Sequence, residues 1–376
     1  NSGQRWDLSG NEGCGLGAVR GGIRIAAAYP ITPARDMLEC LSPRLEKLGG
    51  SLVQAEDELA SINMVIGASF GGVPSMTATS GPGLALMLEA LGLSVAAEVP
   101  SLVVIVQRGG PSTGVPTKSE QVDLDIALHG MHGDAPHLVL GALDHADCVL
   151  TTEWAVRLAE ALQTVAIVLT DQNLAQSRAL IPEPDYTLPG IPARRTAGPD
   201  ENYQRYEITA DGVSPMAIPG TACSTYVADG LEHTQTGKPS TAAADHAAQM
   251  DKRLHKIEQF DYGELWADVR GEGDTAILTW GSTTAAAREA AERLLDAGES
   301  VKVIAPRLLM PSRPEEMSRV LDGVRRVLVV EQSHGRQFHR YLRSYYDIDA
   351  EVRNLARPGP LLITPGEIVR SIEEWK

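Results

Sequence analysis

The residues best suited to hold and activate a small polar ligand lie between Tyr29 and Thr117. Glu58 follows Glu56 and Asp57 where an apolar helical pattern begins, with Gly67 about two and a half turns on. Ser80-Gly81-Pro82-Gly83 starts 22 positions later, at the next strand-to-helix transition. Glycines at such a transition let backbone amides approach a ligand at a helix N-terminus. Arg108 ends an apolar run and opens Gly109-Gly110-Pro111-Ser112-Thr113-Gly114; a guanidinium there suits a carboxylate or phosphate. Thr32, within Tyr29-Pro30-Ile31-Thr32-Pro33, and Thr117, after Pro116, each add a hydroxyl. Plainer readings stand beside these. Glu58 fits an acidic first turn that favours the helix dipole, although three adjacent acids repel. Ser80–Gly83 fits an ordinary turn with Pro near the first helical position, and Arg108 a surface Arg at a strand end.

Other candidates are weaker. His129, His132 and His137 lack both the His-x3-His spacing and an HExxH context, so no metal is expected on this chain. Gly271-Glu272-Gly273-Asp274 and Ala228-Asp229-Gly230 read as loops without a clear ligand role.

The elements that must position the cluster alternate strand and helix. Strands are expected at Ile23–Ala28, Ser51–Ala55, Ser75–Thr79, Ser101–Gln107, His137–Leu140 and Val165–Thr170, and helices at Pro33–Leu48, Glu58–Phe70, Gly83–Ala97, Glu120–Leu128 and Ala146–Leu162. Ser101–Gln107 is apolar on both faces and therefore central. This is the pattern of a parallel sheet covered by helices, which places ligands at the carboxyl ends of its strands. From Ile181 to about Ala248 the periodicity fails among Pro182, Pro184, Pro189, Pro192, Pro199, Pro215 and Pro219. So long an irregular stretch reads as an ordered connector that wraps a partner surface. A second α/β unit begins near Asp274. The division is thus 1–180, an irregular connector at 181–250, and 251–376.

Bulk properties narrow the class. The 376 residues are 43% hydrophobic and 22% charged, enough for two or three folded units with ample core. A net charge of −16 argues against nucleic acid as a ligand. No apolar run reaches the roughly 18 residues of a membrane span. Cys14, Cys40, Cys148 and Cys223 are widely spaced, without CxxC, so reduced cytoplasmic thiols are expected and no iron–sulfur cluster on this chain. The start, Asn1-Ser2-Gly3, has neither signal-peptide character nor an initiating Met, which leaves a preceding segment open.

Glu58 with Gly67, followed by Ser80-Gly81-Pro82-Gly83, resembles the pyrimidine-binding half of thiamine-diphosphate enzymes. Tyr29-Pro30-Ile31-Thr32-Pro33 and Arg108 through Thr117 narrow the resemblance to the α subunit of 2-oxoacid:ferredoxin oxidoreductases, most like the 2-oxoglutarate branch. Gly133-Asp134-Ala135-Pro136 and Gly230-Leu231-Glu232-His233 extend it, and Trp280-Gly281-Ser282-Thr283 is similar to the start of a transketolase-C-like domain. The resemblance implies an α/β fold with a pyrimidine-binding-type parallel-sheet domain and a transketolase-C-like α/β domain. It implies that Glu58 hydrogen-bonds the aminopyrimidine of thiamine diphosphate and promotes proton removal at the thiazolium. Tyr29, Pro30, Ile31, Ser80 and Gly81 would adjoin that cofactor, and Thr32, Arg108 and Thr117 would bind the 2-oxoacid. The implied reaction is coenzyme A-dependent oxidative decarboxylation of 2-oxoglutarate to succinyl-CoA and CO2, with electrons to ferredoxin, reversible as CO2 fixation.

The chain has no Gly-Asp-Gly and later Asn to hold Mg2+ and the diphosphate. By resemblance, that half and a [4Fe-4S] cluster belong to a β subunit in an (αβ)2 assembly, with a γ domain or subunit possible, and this chain alone would be inactive. Pyruvate, a branched-chain or an aryl 2-oxoacid remains an alternative substrate. A non-catalytic nucleotide-binding scaffold is the alternative from another class.

Overall fold

The computed structural model describes residues 5–184, 186, 188 and 190–375. Pro189 lies outside them, as do the first four residues and the last of the expected units. In chain order the first part runs β1 (Arg5–Ser9), α1 (Gly10–Gly21), β2 (Ile25–Ala28), α2 (Arg35–Lys47), β3 (Ser51–Gln54), α3 (Glu58–Phe70), β4 (Ser75–Thr79), α4 (Gly81–Ala96), β5 (Ser101–Gln107), α5 (Leu124–His129), β6 (Leu138–Gly141), α6 (His145–Leu162), β7 (Val165–Asp171), α7 (Gln172–Gln176) and β8 (Arg178–Pro182). Six of these strands form a parallel sheet in the order β6-β7-β5-β4-β2-β3. β4, β5 and β7 are buried along their whole lengths, as continuous apolar runs between two helix layers require.

The second part contributes α8 (Ala243–Glu258), β9 (Ala267–Arg270), β10 (Thr275–Thr279), α9 (Thr283–Asp296), β11 (Lys302–Pro306), β12 (Leu308–Met310), α10 (Pro314–Val320), β13 (Arg326–Glu331), α11 (Gln337–Tyr345), β14 (Glu351–Ala356) and α12 (Pro365–Glu373). Its sheet runs β14-β13-β10-β11-β9, parallel except for β9. β12 leaves this unit and pairs antiparallel with β6, making the first sheet seven-stranded.

Several expectations need correcting. Residues 120–123 are not helical, and α5 starts at Leu124. The Gln121 N–H donates instead to the Gln332 carbonyl at 2.8 Å, outside any local helix. The irregular segment ends at Ala242, because Ala243–Glu258 forms the helix α8. It also makes contacts to this chain's own first unit. Arg194 donates to Glu160 at 2.7 Å and to the Ser69 carbonyl at 2.6 Å. Arg205, fully buried, donates to the Glu98 carbonyl at 2.7 Å. Lys252 and Lys256 of α8 close on the two oxygens of the buried Glu98 carboxylate at 2.6 and 2.7 Å. Burial alone would push that carboxyl's pKa up, but Lys256, Lys252 and Arg205 together hold it well below the usual range.

The N-terminal strand and helix were not expected from the sequence. α1 packs on α6 so closely that a Cβ on Gly17 would stand 2.3 Å from the Val149 carbonyl oxygen. Glycine there permits backbone-to-backbone approach.

Three glutamines join the two sheet units. Gln121 accepts from the Gln332 N–H and donates to the Trp280 carbonyl, both at 2.8 Å. Gln337 accepts from the Asp125 N–H at 3.0 Å and donates to the Val122 carbonyl at 2.8 Å. Gln332 donates to the Pro358 carbonyl at 2.9 Å, fixing the loop that follows β14. This junction forms one wall of the site.

Candidate active site

Strands β5, β4, β2 and β3 are neighbours, so the segments leaving their carboxyl ends lie side by side. The three acids before α3 separate in function. Asp57 caps the helix, its carboxylate accepting from the Ala60 N–H at 2.7 Å, while Glu56 is exposed. Glu58, the first helical residue, turns inward and is buried with no hydrogen-bond partner for its carboxylate among the described residues. It lies against α4. A Cβ on Gly83 would come within 2.8 Å of Glu58 Cγ and 2.9 Å of its Oε1. A carboxylate on an otherwise buried residue, with no protein partner among the described residues, is left open for a ligand to complete.

Ser80, at the N-cap of α4, is wholly buried, and its Oγ has no hydrogen-bond partner among the described residues. Arg108, just beyond β5, donates from Nη1 to the Thr32 carbonyl at 2.7 Å, joining the β5 and β2 loops. Its Nε is buried and unpartnered among the described residues. Tyr29 and the Thr32 side are exposed, Pro30 and Ile31 half-buried. Thr117 is half-buried with φ +38°, a left-handed backbone in the loop that returns from Arg108.

A cavity of about 650 Å³ opens between the two units. Gly81, Pro82 and Arg108 wall it on one side, Ser333–Gly335 and Pro358 on the other. Of the expected site residues, Gly81 and Arg108 line it. Thr32 reaches it through Arg108, and Glu58 stands behind Gly83; Tyr29, Pro30, Ile31, Ser80 and Thr117 are not among its lining residues. Two lining carboxyls were missed in the sequence. Glu120 accepts from the Gly359 N–H at 2.6 Å. Asp123 is half-buried with its Oδ2 closed off from solvent, and that desolvation pushes its pKa up to about 7 against the opposing pull of Arg108. Only the pairing of this loop with a segment more than 200 residues later makes either position special. In the same part of the chain Tyr29, Val53, Leu59, Met64, Leu86 and Val115 are exposed.

Two of the three histidines are engaged by this chain's own groups. Both ring nitrogens of His137 lie 2.7 Å from backbone carbonyls, of Ala135 and Ala127, and burial pushes its pKa down. His129 stacks on Tyr345. Among the described residues no group of three His, Cys, Asp or Glu side chains is placed to hold a metal ion.

Residues 16–252 match the family model described as pyruvate flavodoxin/ferredoxin oxidoreductase, thiamine diphosphate-binding, and residues 265–367 match the transketolase C-terminal domain. The chain is 32% identical to the 2-oxoglutarate synthase subunit KorA of Methanothermobacter marburgensis over 99% of its own length and 100% of that protein. The chain belongs to the 2-oxoacid:ferredoxin oxidoreductase α-subunit family. This α-type chain is also 35% identical to subunit alpha of 2-oxoacid:ferredoxin oxidoreductase 1 from Sulfurisphaera tokodaii, covering 91% of this chain but 57% of that longer relative. In structure it is similar to the 2-oxoglutarate:ferredoxin oxidoreductase of Magnetococcus marinus, described with 2-oxoglutarate, coenzyme A and succinyl-CoA bound. The TM-score is 0.92 at 43% identity, over 98% of this chain and 65% of that one.

The residues present fit one half of thiamine diphosphate. The Glu58 carboxylate, packed against Gly83 and without a protein partner among the described residues, is the kind of group an aminopyrimidine edge would hydrogen-bond.

Proposed function

We propose that this chain is the α part of a 2-oxoglutarate:ferredoxin oxidoreductase. The reaction is oxidative decarboxylation of 2-oxoglutarate with coenzyme A to succinyl-CoA and CO2, electrons passing to ferredoxin; run backwards, it fixes CO2. The observation that carries the reading is the buried, partnerless Glu58 set against Gly83, beside a cavity that Arg108 lines. The likeness to the Magnetococcus marinus enzyme supports 2-oxoglutarate as the substrate.

Thiamine diphosphate, when bound, supplies the nucleophilic carbon and the electron sink for loss of CO2. Glu58 holds a proton at the aminopyrimidine edge. Tyr29, Pro30, Ile31, Ser80 and Gly81 bound that ring's site. Arg108 grips a substrate carboxylate with the donors that Thr32 leaves free, and the Thr32 and Thr117 hydroxyls orient the oxoacid.

The partner is a β subunit bringing Mg2+, the diphosphate site and a [4Fe-4S] cluster, in an (αβ)2 assembly with a γ domain or subunit. The exposed apolar side chains between Tyr29 and Val115 suit burial under such a partner. The working division is a pyrimidine-binding domain at 1–180, a connector at 181–250 and a transketolase-C-like domain at 251–376. Among the described residues no helix is long and apolar enough to cross a membrane, and a cytoplasmic location is part of the proposal.

The test is coenzyme A-dependent reduction of a viologen dye by the chain co-purified with its β partner, comparing 2-oxoglutarate with pyruvate. Turnover of 2-oxoglutarate that disappears when β is withheld supports the reading. Preference for pyruvate moves the substrate assignment, and no turnover of any 2-oxoacid overturns the enzymatic reading.

A further inference from the structure

The cavity is lined by a half-buried carboxyl, Asp123, that the roles above leave unused. Asp123 precedes α5, and its backbone N–H donates to Gln107 Oε1 at 3.0 Å. Its Oδ2 is closed off from solvent, with no hydrogen-bond partner among the described residues. Its Oδ1 lies against the first residue of α4, where a Cβ on Gly81 would stand 2.3 Å away. Gly81 therefore makes room for this carboxyl at the cavity wall.

Arg108 faces it from the end of β5, and Glu120 from the preceding loop. Asp125 on its own helix is engaged by Arg340 of α11. His334 lines the opposite wall, and Gly81, Pro82 and Gln107 carry no charge. An enclosed carboxyl lacking donors and standing near Glu120 favours its neutral form, while Arg108 opposes. Burial is the larger influence and moves titration to about pH 7.

A substrate carboxylate on Arg108 would bring a second anion to this corner. Two carboxylates sharing a site retain a proton between them. We propose that Asp123, as a neutral carboxylic acid, donates a hydrogen bond to the substrate carboxylate held by Arg108, and as an anion competes with it for the guanidinium. Asp123 is thus a substrate-binding residue whose protonation state sets the affinity for 2-oxoacids. This rests on Arg108 being the carboxylate anchor.

The sign follows directly. The neutral form dominates below about pH 7, so KM for 2-oxoglutarate is low there and rises by up to roughly tenfold per pH unit above it. In the complex with β, Asp123→Asn keeps a donor of the same size but cannot ionise. Its KM is expected to stay flat from about pH 6 to about pH 8.5, near the wild-type low-pH value. Asp123→Leu, lacking a donor, raises KM at every pH. A wild-type KM that does not rise, or an Asp123→Asn KM that still does, overturns the proposal.

Infrared spectroscopy of the full chain gives a readout independent of turnover. A protonated-carboxyl C=O stretch should fade as pH passes about 7 and be absent from Asp123→Asn. The difference spectrum is needed because burial also moves the Glu331 carboxyl to about 7. Identical titrating bands in wild type and Asp123→Asn overturn the proposal. An unchanged KM in Arg108→Ala, with the infrared result intact, instead places the failure in the anchor reading.

Discussion

Gly83→Ala isolates the contact on which the site depends. The added methyl would stand 2.0 Å from Thr79 Oγ1, 2.8 Å from Glu58 Cγ and 2.9 Å from Glu58 Oε1. Alanine is a better helix former than glycine by about 1 kcal/mol. Overpacking of this kind costs about 1–3 kcal/mol, so a net loss of up to roughly 2 kcal/mol is expected. Activity should suffer more, because displacing a reacting group by about 1 Å costs on the order of a hundredfold. The double variant Thr79→Ala/Gly83→Ala separates the two effects. Thr79 Oγ1 has no hydrogen-bond partner among the described residues, so its removal relieves the worst overlap at little cost. The overlap with Glu58 remains. Denaturant titration should show stability returning in the double variant, while dye reduction by its complex with β stays low. Recovery of both stability and turnover would refute the reasoning, as would a Gly83→Ala variant with wild-type activity.

Further predictions follow from other parts of the molecule. Arg108→Ala should raise KM for 2-oxoglutarate roughly tenfold to a hundredfold, the value of charge-assisted hydrogen bonds; an unchanged KM rejects the anchor role. Glu98→Gln leaves Lys252 and Lys256 buried without their carboxylate and should cost about 3–5 kcal/mol in denaturant titration; an unshifted midpoint contradicts this. For Asp123, the folded state holds a proton that the unfolded chain loses near 3.8. Its contribution to stability therefore falls as pH rises from there to about 7. At about pH 8 Asp123→Asn should be more stable than wild type by up to roughly 4 kcal/mol, and the gain should vanish near pH 4. A pH-independent difference rejects the assignment.

Much of the first sheet was legible because its strands are short apolar runs punctuated by glycine and proline. Ser101–Gln107 forms β5 and Glu58–Phe70 forms α3, each with the bounds expected from the sequence. The position of Glu58 at a strand-to-helix junction was readable for the same reason. Its separation from Asp57 was not, since only the fold decides which acid caps the helix and which turns inward. α1 was missed because Gly10, Gly13, Gly15 and Gly17 disguise a helix whose glycines serve close packing on α6. β12 was missed because three residues carry no period and pair with a strand about 170 positions earlier. Asp123 was missed for a related reason. The loop that carries it has no regular pattern, and its burial depends on Gly81 and on a second unit far along the chain.

The central claim is that Glu58 holds a proton for the cofactor's aminopyrimidine. Its most direct test is Glu58→Gln in the complex with β, assayed for 2-oxoglutarate- and coenzyme A-dependent dye reduction. The glutamine keeps the shape against Gly83 but cannot exchange the proton. A fall in kcat on the order of a hundredfold or more, with the complex intact, is the predicted result. Near-full activity would contradict the account.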